Sequence, residues 1–232
     1  MGALRVLIFI IVAVINSFGE QIGVGSAVQP QYRVVDKFES HDEFALQTLL
    51  RLGVETRTPL GLVQTDGQLC KSKIEISVEG ESIASIANRL TSPVGYTWAV
   101  ENGVLVIQPQ RMPLGVLALL NTLIPRFAAP RTTLEGLGLF LTMDVRAVFR
   151  PDIGTAGSLP RSPDAVLVGP VEMHNVTVKQ ALNEIAKVGM RGQWVLHPIP
   201  DDYRKAADAK FVDIVDYGSN PIPAIQRLSC TP

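Results

Sequence analysis

Three histidines, two cysteines and a few paired carboxylates are the side chains of this sequence best equipped for chemistry. His41, His174 and His197 stand far apart, and none has another His, Cys, Asp or Glu at metal-ligand spacing on the same expected face. They read as structural or exposed histidines. His41, Asp42 and Glu43 precede an apolar periodic run, where acidic residues suit the positive end of a helix dipole. Glu79/Glu81 and Asp201/Asp202 are pairs of the type a glycosidase uses as acid and base. Beside Gly80, or within the charged stretch 201–210, they read as solvated turns instead. Gly-x-Ser-x-Gly does not occur, and Gly23-x-Gly25 and Gly136-x-Gly138 lack the rest of a phosphate-cradling loop. Asn175-Val176-Thr177 matches a glycosylation acceptor, but a strand end followed by a helix N-cap accounts for the same residues. No catalytic, cofactor-binding or metal-binding set emerges, and the expectation is a protein that is not an enzyme.

The beginning of the chain carries an address. Arg5 supplies one positive charge, and the ten residues Val6–Ile15 are uninterruptedly apolar. A membrane-spanning helix needs about 20 such residues, so the run fits a secretory signal peptide. Asn16-Ser17-Phe18-Gly19 offers small residues for cleavage after Gly19, with a second small-residue site ending at Ala27. The expectation is a signal peptide over 1–19 and a periplasmic or secreted product without a membrane span after cleavage. Lys and Arg total 21 against 22 Asp and Glu, a balance that points to neither nucleic acid nor an anionic membrane surface. In an exported chain, two cysteines are most simply one disulfide, here Cys70–Cys230. That bridge would close a loop of about 160 residues and pin a Pro-rich tail over 219–232. The other reading is two unpaired thiols.

A pattern occurs twice along the chain. Lys73–Val78 alternates as a half-buried strand, Ser82 can cap a helix through Leu90, and Tyr96, Trp98 and Val100 alternate with polar or small residues. Asn102-Gly103 is a two-residue hairpin turn, and Val104–Ile107 returns from it. Later, Glu172–Val176 reads as a strand, Thr177 as an N-cap, Val178–Val188 as a helix ended by a left-handed Gly189, Gln193–Leu196 as a strand and Phe211–Asp216 as its return. Shifting one segment by 95 superposes Ser82 on Thr177, Ile83 on Val178 and Asn88 on Asn183. Helix-like runs at Asp42–Leu52 and Leu114–Ile124 precede the copies, each followed by an expected strand, at Pro59–Val63 and Gly138–Val145. The fold class is therefore α+β, two related small units of strand-helix-strand-strand with a preceding helix, mixed sheet packed on helices. The units span 31–110 and 111–218, the second with a mobile loop over 150–165.

The segment 73–109, with the strand Ile76–Gly80, the helix Ser82–Leu90, the aromatic strand Gly95–Gly103 and the strand Val104–Pro109, resembles the secretin and TonB short N-terminal domain. The second copy, over 168–216, resembles it less closely, through its helix Val178–Gly189 and the strand with Trp194. The resemblance implies a non-catalytic protein-interaction module of the bacterial cell envelope, with an envelope protein as partner. Within these residues no barrel, plug or secretin core follows, so channel and receptor functions are not carried over. Surface docking by strand addition at an exposed edge such as Val104–Ile107 is the expected mechanism. The alternative is a small-molecule or glycan binder that uses a cleft between the two units, with Trp98 or Trp194 in it. Each tryptophan reads either as core or as half of an exposed aromatic pair. The oligomeric state is left open.

Overall fold

The computed structural model describes residues 29–65, 67–149, 166–189, 192–197 and 212–216. The expected signal peptide, the loop 150–165, Asp201/Asp202, Cys230 and the Pro-rich tail lie outside the described residues.

The first unit runs β1 (Val34–Phe44), α1 (Ala45–Glu55), β2 (Leu60–Val63), α2 (Gln68–Lys71), β3 (Lys73–Ser82), α3 (Ile83–Thr91), β4 (Tyr96–Glu101) and β5 (Val104–Pro109). Its second half forms as the local signals require. Ser82 Oγ accepts the Ser85 N–H at 3.2 Å, which satisfies an orphan donor of the first helical turn. Ile83, Ile86, Ala87 and Leu90 then bury one face of α3. Asn102 and Gly103 both take positive φ, 53° and 82°, as the tight turn between β4 and β5 demands.

The second unit runs α4 (Leu114–Leu120), β6 (Leu123–Ala129), α5 (Leu134–Phe149), β7 (Val171–Thr177), α6 (Val178–Val188), β8 (Gly192–Leu196) and β9 (Val212–Asp216). Thr177 repeats the role of Ser82, with its Oγ1 accepting the Gln180 N–H at 3.2 Å. Here Gln180 also reaches back to the Thr177 N–H and completes a capping box.

The two units share one sheet. Its order is β4-β5-β2-β8-β9, with β2 parallel to both β5 and β8 and the outer pairs antiparallel. Leu60, Leu62, Leu105, Ile107 and Val195 turn to one face, into a core with α1 and α3. Val63, Val104, Val106, Trp194, Leu196 and Ile214 turn to the other, into a core with α4, α5 and α6. The antiparallel pairs β1–β3 and β6–β7 cover the outer sides of these helices. The result is five layers, sheet-helix-sheet-helix-sheet. Burial on both faces explains why Leu60-Gly-Leu-Val63 is apolar without alternation.

Four expectations are corrected. Gly138–Val145 is not a strand but part of α5, where Leu134, Leu137, Leu141 and Val145 recur at helical spacing and are buried. The Asp42–Leu52 helix begins only at Ala45. His41 and Asp42 belong to β1, at a bulge where one extra residue is accommodated and Asp42 takes φ 55°. The Leu114–Ile124 helix ends at Leu120, and Leu123 already pairs in β6 with Thr177. Gly189 is extended, at φ −83°, and a Cβ there would meet Leu134 Cδ1 at 2.3 Å, so that side chain would have to shift.

Candidate functional site

The sequence repeat has a chemical counterpart. Trp98 on β4 donates its indole N–H to Asn88 Oδ1 of α3 at 2.7 Å, and Trp194 on β8 donates to Asn183 Oδ1 of α6 at 3.0 Å. The two asparagines are the residues that the shift of 95 superposes. In both units the bond ties a strand to the helix before it. The surroundings differ: Trp194 is fully buried between β2 and the second-unit helices, whereas Trp98 is half-buried on a strand that ends the sheet. Trp194 lines no open site, and the two rings form no exposed aromatic pair.

Strand β5 is also not where the sequence reading places it. Val104–Ile107 lies inside the sheet, hydrogen-bonded to β4 on one side and to β2 on the other, so it offers no free edge. Among the described residues that position belongs to β4. The Leu105 N–H donates to Pro59 O at 2.9 Å, toward β2, and the Gln110 N–H donates to Gly95 O at 3.1 Å, toward β4. Even-numbered residues of β5 thus bond to β4, and the bonded pairs are Glu101–Val104, Ala99–Val106 and Thr97–Gln108. Trp98 and Val100 therefore turn their backbone N–H and C=O groups away from β5, to the outside of the sheet. Their side chains pack toward the first-unit core, and Thr97 and Ala99 are exposed on the opposite face. Glu101 closes the strand in an ion pair with Lys179 of α6 at 2.6 Å, a contact between the units.

The histidines remain separate. His41 Nδ1 lies 3.5 Å from Glu75 Oε1, His174 Nε2 lies 3.3 Å from Glu172 Oε1, and His197 Nε2 lies 2.5 Å from Asp213 Oδ2. Among the described residues no three His, Cys, Asp or Glu side chains converge as a metal site would require. Glu81 bonds the Ser85 hydroxyl at 2.6 Å and Arg89 Nη1 at 2.8 Å, while Glu79 is exposed. Asn175-Val176-Thr177 closes β7 and caps α6. Gln64 Nε2 approaches Cys70 Sγ at 3.2 Å.

Among the described residues, two surface hollows bear on the search for a site. One, of about 490 Å³, lies beside Arg51 and includes Lys37, Glu43 and Glu55. Arg51 already bonds Glu43 at 3.0 Å, Glu55 at 3.1 Å and the Glu39 carbonyl, and stacks over Phe38, so its charge is matched within the fold. The other, of about 320 Å³, is an apolar notch at Pro130 and Pro170. Among the described residues two carboxyls are perturbed: Lys37 draws the Glu39 pKa down, and burial pushes Asp144 on α5 up. No helix among the described residues is long and apolar enough to cross a membrane. Comparisons with family models, with curated proteins and with solved structures find no match to this chain.

Proposed function

We propose that this chain is an exported, non-catalytic protein-interaction module of the bacterial cell envelope, working in the periplasm or as a secreted protein. The observation that carries this reading is the outward-turned backbone of β4 at Trp98 and Val100. A partner strand laid along β4 would gain main-chain hydrogen bonds for affinity, and the alternating side chains beside it would select the sequence. The resemblance of 73–109 to the secretin and TonB short N-terminal domain supports the envelope setting. So does the expected signal peptide, with which the Cys70–Cys230 disulfide would be consistent.

The test is capture from envelope extract by the mature protein and by its Val100→Pro variant. The Val100 N–H points away from β5, so proline there leaves the β4–β5 bonds in place and blocks only the outer edge. Loss of capture with unchanged circular dichroism is the expected result. Equal capture by both proteins would remove β4 from the mechanism.

A further inference from the structure

We draw no further inference here: the strongest candidate, the exposed apolar patch of Leu114 and Leu117 on α4 with Leu123 at the start of β6, carries nothing because nothing in the structure shows what covers it.

Discussion

Replacing Gly61 with alanine would put a methyl group where the indole of Trp194 already stands. A Cβ at Gly61 would lie 2.2 Å from Trp194 Cζ2, 2.3 Å from Cε2 and 2.7 Å from Nε1. Gly61 on β2 and Trp194 on β8 are register partners, so the contact exists only because strands from the two units lie side by side. The ring cannot step aside cheaply, since it is fully buried and its N–H is bonded to Asn183. Overpacking a core costs about 1–3 kcal/mol, and stranding a buried donor costs a similar amount, so Gly61→Ala should destabilise the protein by about 2–5 kcal/mol. Trp194→Leu alone should cost about 2–4 kcal/mol through lost burial and cavity formation. In the double variant the methyl group has room, and the two effects should fall short of their sum by about 1–3 kcal/mol. Urea unfolding followed by far-ultraviolet circular dichroism measures all four corners of the cycle without relying on tryptophan emission. Effects that add to within about 0.5 kcal/mol would refute the packing of Trp194 over Gly61, and with it the shared sheet.

The repeated Trp–Asn bond should matter unequally. Asn183→Ala leaves a buried indole N–H unpaired and should cost about 1–3 kcal/mol, while Asn88→Ala exposes its indole to water and should cost under about 1 kcal/mol; equal urea midpoints would contradict this. Burial raises the Asp144 pKa, so its charged form is disfavoured in the folded protein, a penalty present at neutral pH and gone once pH falls below the usual carboxylate range. Asp144→Asn should therefore raise the urea midpoint at neutral pH and leave it unchanged in acid, and the reverse pattern would sink the argument. A Cys70–Cys230 bridge closing about 160 residues would contribute up to about 5 kcal/mol. The unfolded, unreduced protein should then show no titratable thiol and reduction should lower the midpoint, whereas two reactive thiols would dismiss the bridge.

The elements that local chemistry specifies were legible. The β4–β5 hairpin follows from Asn102-Gly103, and α3 and α6 follow from their caps and their periodic apolar residues. The shift that relates the copies also located both asparagines, though not their bonds to tryptophan. What failed was decided by distant parts of the chain. Strand β1 is mostly polar, burying only Phe38 and Ser40, and shows itself only when β3 pairs with it. In α5 the glycines at 136 and 138 and Thr142 mask a spacing of Leu134, Leu137, Leu141 and Val145 that a helical count would have found. Val104–Ile107, the expected docking edge, is apolar at every position and buried at every position. Apolar on both faces is the mark of an interior strand, and the alternation of β4 was the better sign of an edge. Which strands become neighbours across the two units, β2 with β8 above all, has no local signal at all.

Backbone hydrogen exchange along β4 tests the open-edge claim most directly. In dilute protein the amides of Trp98 and Val100 should exchange far faster than those of Thr97 and Ala99, which are bonded to β5. Adding a captured envelope partner should slow Trp98 and Val100 selectively. Equal protection of all four amides in the free protein, or fast exchange at Trp98 and Val100 in a saturated complex, would contradict the account.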